Sequence, residues 1–348
     1  MATKRVPSVS SEFEGLDLGD KRLNVRGASM AEAITREPAL SLPKIFGDGA
    51  ELEGAYRFLG NEAVEFDDLI RPHVARTMSR IEQSSGTVLI VHDTSEFKFG
   101  GEYRRDGLGW LPNGGQGFFA HLSLAASYDE KTDGRDPLGL VGVQTIFREA
   151  PRRSSSSTTE LESKRWPQGI ERAEEVVAGH CSVVHVADRE SDAYEVLSLV
   201  QTKSLRFVLR SNHNRTTTKD GATQPLWDAV GEQPSLAITL EASVSARRPG
   251  ELGKGSKAGK AAIKPSAATG RTLSARTAHP ARTERNAILH VSAGKHVILR
   301  PDNHGRYRDC PKQISLNVVR VFEPNPPEGV EPIEWLLFTS EPISTPEE

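Results

Sequence analysis

Cysteine is nearly missing from this sequence: Cys181 and Cys310 are the only two in 348 residues. Two thiols exclude a disulfide framework and a cysteine-rich zinc site. Long apolar runs are missing too. No stretch approaches the roughly 20 residues a helix needs to cross a bilayer. The start, Met-Ala-Thr-Lys-Arg-Val-Pro, holds no hydrophobic segment of a signal peptide. A reducing cytoplasm is the expected location. Net charge is also small, since 44 Lys and Arg against 47 Asp and Glu give −3. Bulk charge therefore excludes a general polyanion binder, and any nucleic-acid contact must come from local basic patches. Hydrophobic residues at 36% and charged residues at 26% describe an ordinary soluble chain, long enough for two or three structural units.

What is present centres on Thr87-Val-Leu-Ile-Val-His-Asp-Thr-Ser95. The unbroken apolar run Val88–Val91 predicts a strand buried on both faces, inside a sheet covered by helices. Such a strand delivers its last side chains at its carboxyl end, where open α/β sheets place ligands. Asp93 stands at that exit. Ser182-Val-Val-His-Val-Ala-Asp-Arg-Glu-Ser191 repeats the design and puts Asp188 at a second exit.

The first 84 residues read as helices. Apolar residues recur at helical spacing over Asn24–Arg36, Glu51–Leu59 and Asp67–Ile81, and Pro72 must sit near the first turn of the third helix or kink it. Lys21, Arg22, Arg26 and Lys44 lie between and within them, as phosphate contacts or as a solvated basic face. Residues 85–210 read as α/β. The strand Thr87–Asp93 leads into a Gly-rich, aromatic loop through Gly117. Strands Phe118–Tyr128 and Leu138–Phe147 make a meander, and Arg152–Thr159 is a polar loop. A helix over Glu160–Gly179, strand Val183–Asp188, a helix opened by the capping-box pattern Asp192-Ala-Tyr-Glu195, and strand Leu205–Arg210 follow. Gly107-Leu-Gly109 lacks the strand-to-helix context of a phosphate cradle. Three strands, helix, strand, helix, strand is the order of an RNase H-like core. Residues 211–348 form a β-rich insertion, with short strands at Leu236–Ser245, Ala287–Val291 and Lys295–Arg300 across Gly294, and Ile314–Val321. Within it, 247–285 carries ten Lys and Arg against two Glu, as a solvated linker or a phosphate-tracking arm.

Two aspartates on neighbouring strand ends suit a hard cation, Mg²⁺ or Mn²⁺, rather than zinc. A pair of such ions can activate a hydroxyl on one side of a phosphate and stabilise the leaving oxygen on the other. The bland alternative for each residue is a turn-capping Asp. His92 and His185 are expected to be core side chains. Glu96 and Glu190 are solvated carboxylates or outer supports of the site.

Family resemblance narrows this. Asp93-Thr-Ser, Ala187-Asp-Arg-Glu-Ser-Asp-Ala-Tyr194, Phe207-Val-Leu-Arg-Ser-Asn-His-Asn-Arg215 and Glu334-Trp-Leu-Leu-Phe-Thr-Ser340 together resemble the DDE transposases of bacterial cut-and-paste insertion sequences, in the transposon-five branch. Leu18-Gly-Asp-Lys-Arg22 and Glu53-Gly-Ala-Tyr-Arg-Phe58 resemble that branch's helical end-binding domain. His121 and Glu162-Ser-Lys-Arg-Trp166 fall at family-like places. The resemblance implies that Asp93 and Asp188 are the first two catalytic carboxylates and hold Mg²⁺ or Mn²⁺. It implies double-stranded DNA as partner, both transposon terminal repeats and target, met by Lys21, Arg22, Arg189, Arg210, Asn212, His213 and Arg215. Trp335 would stack on an extruded base, and the family acts as a homodimer. The family's third carboxylate lies in a Tyr-x-x-Arg-x-x-x-Glu pattern after the Trp-Leu-Leu-Phe-Thr strand, and no such pattern precedes Glu348. A truncated transposase is therefore the expectation, without the final catalytic helix and dimerisation helices. A non-catalytic DNA-binding remnant and an RNase H-like nuclease are the alternatives.

Overall fold

A computed structural model describes residues 9–101, 103–112, 114–129, 134–149, 163–219, 221–233, 235–246, 283–302, 306–328, 330, 332–343 and 345. The polar loop at 152–159, Glu162, most of the basic stretch 247–285 and the residues at 344 and 346–348 lie outside the described residues. The chain divides into two units, 1–210 with 302–311 and 211–301 with 312–348.

The first unit begins with helices α1 (Val9–Glu12), α2 (Lys21–Arg36), α3 (Leu42–Phe46), α4 (Ala50–Leu59) and α5 (Phe66–Gln83). Asp20 starts α2 as its N-cap, its carboxylate accepting the Arg22 N–H at 2.8 Å, which satisfies one of the open donors of the first turn. Leu16, Leu18, Met30, Ala55 and Phe58 form the shared core of this region. Gly27 is required there: a Cβ would lie 2.8 Å from Leu16 and 3.1 Å from Phe58. Pro72 sits in the interior of α5, in its second turn and buried, rather than near its start.

Six strands follow: β1 (Thr87–Phe99), β2 (Gly109–Trp110), β3 (Gln116–Asp129), β4 (Gly134–Ile146), β5 (Val183–Ala187) and β6 (Arg206–Arg210). Their order is β4-β3-β1-β5-β6, antiparallel up to β1 and parallel from β1 onward, with β2 on the end of β3. Helix α6 (Arg165–Val177) joins α5 in covering one face, where Ile81, Ala173 and Val177 pack on Val88, Ile90, Ala125, Val141 and Val183. Val88, Ile90 and His92 are buried while Leu89 and Val91 are only half-buried, so β1 is fully covered on one face, not both. His73 fixes α5 to β4: its Nε2 accepts the Leu140 N–H at 2.9 Å, which leaves Nδ1–H to donate to Glu12 at 2.8 Å.

The capping box expected at Asp192 does not form. Residues Arg189–Ser191 make a 3₁₀ turn, and α7 (Tyr194–Thr202) starts after Ala193, which has no side-chain cap. Asp188 caps the 3₁₀ turn, its Oδ1 accepting the Glu190 N–H at 2.9 Å and its carbonyl accepting the Ser191 hydroxyl at 2.7 Å.

The second unit holds β7 (Thr216–Lys219), β8 (Ala222–Pro225), α8 (Leu226–Gly231), β9 (Ser235–Val244), β10 (Arg285–Leu299), β11 (Gln313–Phe322) and β12 (Glu334–Thr339). Strand order is β12-β11-β10-β7-β8, with β9 also on β10, and every pairing is antiparallel. The two short strands expected on either side of Gly294 are one continuous strand. Gly294 is an inner point of close approach, where a Cβ would stand 2.7 Å from Gln233, rather than a turn.

Candidate functional site

The parallel pairing of β1 with β5 runs from Val88 opposite Val183 to His92 opposite Ala187. Asp93 and Asp188 are the next residue on each strand, and both are exposed. Two stiff, adjacent strands therefore present two carboxylates at one step of register. Asp93 is not at the end of β1, which continues paired with β3 (Asp93 opposite Leu122) as far as Phe99. It marks the point where β1 parts from β5. Among the described residues the Asp93 carboxylate makes no hydrogen bond or ion pair, whereas Asp188 Oδ1 accepts the Glu190 N–H at 2.9 Å. Among the described residues no three His, Cys, Asp or Glu groups gather as a metal-binding cluster.

Beside Asp93 a cavity of about 270 Å³ is lined by Thr94, Glu96, Phe119, Arg148, Arg165 and Glu190. Arg165 spans it, Nε donating to Thr94 Oγ1 at 2.9 Å and Nη2 pairing with Glu190 at 3.1 Å. The Arg148 guanidinium lies 5.1 Å over the Phe119 ring. Glu190 is thereby committed to an ion pair, and Glu96 is exposed at the cavity wall.

Sequence reasoning assigned His92 and His185 to the core but missed their connection. Glu174 meets His185 Nε2 at 2.8 Å, His185 Nδ1 meets His92 Nε2 at 2.9 Å, and Ser123 Oγ meets His92 Nδ1 at 3.1 Å. His121, with its ring 5.8 Å from that of His92, contacts Thr94 through Nδ1 at 3.0 Å. Burial lowers the pKa of His92 well below the ordinary value, helped by His185 and His121. Burial and the charge of Arg165 lower that of His121 to about 4. The visible signal was an apolar strand with a His one step before the Asp in one copy and three before it in the other.

The residues expected to touch DNA fall in different surroundings. Arg189 is exposed and Arg210 half-buried in the first unit. Burial and Arg189 lower the pKa of Arg210, and the charge of Asp188 opposes them. Asn212 and His213 are exposed in the second unit, but Arg215 is buried at 7% exposure and does not present its guanidinium. Trp335 lies within β12, 40% exposed, so it is not a packed core side chain. In the helical region Lys21 is exposed, while Arg22 is held by Asp20 at 2.9 Å. Arg26, a candidate phosphate contact, is tied to Glu51 at 2.6 Å and lies against Gly54.

Residues 7–64 match the family described as transposase DNA-binding. This stretch supports DNA as a partner. Among solved structures, the cryo-EM structure of a piggyBac transposase synaptic complex with hairpin DNA is similar at 9% identity, with a TM-score of 0.33. The match covers 68% of this chain and 54% of that one, so this chain spans about half the other's length. That likeness is too distant to assign a mechanism.

Proposed function

We propose that this chain is a DNA transposase of the DDE type, which cuts and joins strands at the ends of bacterial insertion sequences by metal-dependent phosphoryl transfer. The observation that carries the proposal is the register: Asp93 and Asp188 each follow the last paired residues, His92 and Ala187, of two adjacent parallel strands. Three antiparallel strands followed by two parallel ones is also the order expected of an RNase H-like core. The match over 7–64 supplies a DNA-binding domain to bring a duplex to it.

Two exposed carboxylates of hard oxygen, one without any hydrogen bond among the described residues, fit Mg²⁺ or Mn²⁺. When bound, such ions supply activation of the attacking hydroxyl and charge stabilisation at the leaving oxygen. The chain's own part is to hold both carboxylates on rigid strands. Arg189 and Arg210 stand by Asp188 as cations for the phosphate backbone, and Trp335 offers an aromatic face to an extruded base. A third carboxylate, supplied in the family after the Trp-Leu-Leu-Phe-Thr strand, completes the ligand set, and dimerisation would pair two transposon ends. A second reading, DNA binding without cleavage, is favoured by the capping bond that engages Asp188 Oδ1.

A plasmid carrying the DNA that flanks the gene, incubated with protein in Mg²⁺ or Mn²⁺, separates the two. Nicking that Asp93→Asn abolishes supports the transposase. Duplex binding with no nicking in either ion supports the second reading, and absence of duplex binding overturns both.

A further inference from the structure

Past Asp93, β1 and β3 continue together, with the end of β4 and then β2 on the other side of β3, and the surface there is aromatic. Phe97 stacks on Phe118 with centroids 5.0 Å apart and planes 6° apart, and Phe147 tilts against Phe118 at 5.3 Å. Phe97 and Phe147 are 45% and 48% exposed, far more than a closed aromatic core allows. Beyond them the Gly-rich loop encloses a recess of about 390 Å³, whose walls include Lys98, Phe99, Tyr103, Arg104 and Trp110. None of the described residues that line it is a carboxylate. The Arg104 guanidinium lies 4.4 Å over the Trp110 ring, so the recess already holds one cation stacked on an aromatic plane. The loop is braced from below: Gln116, 8% exposed, accepts the Arg105 N–H at 2.8 Å and donates to the Tyr103 carbonyl at 2.9 Å.

We infer that this recess binds an unpaired nucleotide of single-stranded DNA, the base stacking among Trp110, Arg104 and Phe99 and the phosphate meeting Lys98. Aromatic planes beside cations are how proteins hold single strands without reading sequence, because every base has a π-face. A paired base offers no open face, so a duplex gains nothing here. Two cations, Lys98 and Arg104, among the described lining residues favour a phosphate over an apolar peptide. Glycine on the walls matches this use: a Cβ on Gly115 would stand 3.3 Å from the Lys98 side chain and crowd it. The inference rests on the proposed function only in taking DNA as the substrate. Its place is distinct from the two carboxylates and from residues 7–64.

The test is a fluorescence-polarisation titration of the whole chain with labelled single-stranded oligothymidylate in EDTA, and separately with duplex. Trp110→Ala, Lys98→Ala and Tyr103→Ala should each weaken single-strand binding by about tenfold, with Trp110→Phe close to wild type and duplex binding unchanged. Tyr103 is 84% exposed, so its truncation does not threaten the fold. Single-strand affinity that all three variants leave within about twofold overturns the inference. So does a loss that is equal on duplex, which would make the recess a general DNA contact and not a site for an unpaired nucleotide. Because the titration contains no metal, cleavage is scored apart, and its failure counts against the transposase and not against the recess.

Discussion

His92 donates its Nε2 hydrogen to Nδ1 of His185 across 2.9 Å, with the two rings 5.2 Å apart and nearly parallel. The direction follows from the ends of the chain. The Glu174 carboxylate can only accept, so His185 carries its hydrogen on Nε2 and offers Nδ1 as acceptor. His92 must then donate from Nε2 and accept the Ser123 hydroxyl at Nδ1. Burial, more than this bonding pattern, disfavours the charged form of His92.

Acid should therefore unfold this protein early. His92, His121 and His73 all have folded pKa values below the ordinary histidine value, chiefly through burial. Between about pH 6.5 and about pH 4 the unfolded chain binds more protons than the folded one, so stability falls as pH falls. The contribution is complete above the unfolded value and is lost in that window. Thermal unfolding from about pH 8 to about pH 5 should be flat at first and drop below about pH 6.5. A midpoint that holds through that range would show that these histidines are not buried neutral.

Gly169 of α6 lies against the same stack. A Cβ there would stand 2.5 Å from His121 Nε2 and 3.2 Å from Gln144. Gly169→Ala should destabilise by about 1–3 kcal/mol as overpacking, despite the better helix propensity of Ala. Gly231 in α8 has nothing within 4 Å of a Cβ, so Gly231→Ala should be neutral or stabilising by up to about 1 kcal/mol. Chemical denaturation of both variants checks the opposite signs.

Local patterns were the legible part of this fold. Helical spacing located α2, α4, α5 and α6, and the repeated apolar run followed by Asp located β1 and β5. Pairing partners were not legible, because they join residues far apart in sequence. Nothing near Asp93 shows that β1 runs on to Phe99 with β3, or that His92 meets a ring 93 residues away. The Asp192 capping pattern misled for a related reason. Asp192 closes the 3₁₀ turn that Asp188 caps, so the helix starts one residue later than the pattern implies, with Ala193 as its N-cap. Gly294 read as a break, whereas the contact with Gln233 that explains it lies 61 positions away in sequence.

In the second unit Arg285 grips the buried Glu323 with two bonds, 2.5 and 2.8 Å. The side-chain bonds from Arg285 hold the Glu323 carboxyl below the usual carboxylate range. Its stabilising effect is present above the unfolded value of about pH 4.3 and is lost as pH falls through the lower folded value. Arg285→Ala should cost more than Glu323→Gln at neutral pH, since it strands a buried charge. The gap between Glu323→Gln and wild type should close in acid, which denaturation at neutral and acid pH would read. A gap that widens in acid would reverse the sign assigned to the pair.

Lys21 and Arg22 open α2 but are not equivalent. Arg22 spends its guanidinium on Asp20, and Lys21 is exposed. Lys21→Ala should lower the slope of log affinity against log salt for duplex by about one phosphate contact. Arg22→Ala should change it less unless DNA displaces Asp20. Gel-shift titrations over a salt series measure both slopes, and equal slopes for Lys21→Ala and wild type would remove Lys21 from the interface.

Asp188 has two jobs that substitution can separate. One oxygen caps the 3₁₀ turn through the Glu190 N–H, and the carboxylate charge serves the proposed ion. Asn is as good a capping acceptor as Asp but a poor ligand for a hard divalent cation, whereas Ala supplies neither. Asp188→Asn should keep the stability within about 0.5 kcal/mol of wild type and lose Mn²⁺ binding and any strand nicking. Asp188→Ala should lose the same functions and a further ~1 kcal/mol of stability, the usual cost of a removed cap. Asp93 makes no such bond among the described residues, so Asp93→Ala and Asp93→Asn should match each other in stability as well as in lost activity. Calorimetry with Mn²⁺ and thermal unfolding on the four variants gives both readouts. If Asp188→Asn still binds Mn²⁺ as wild type does, Asp188 is a capping residue alone, and the two-carboxylate site is wrong.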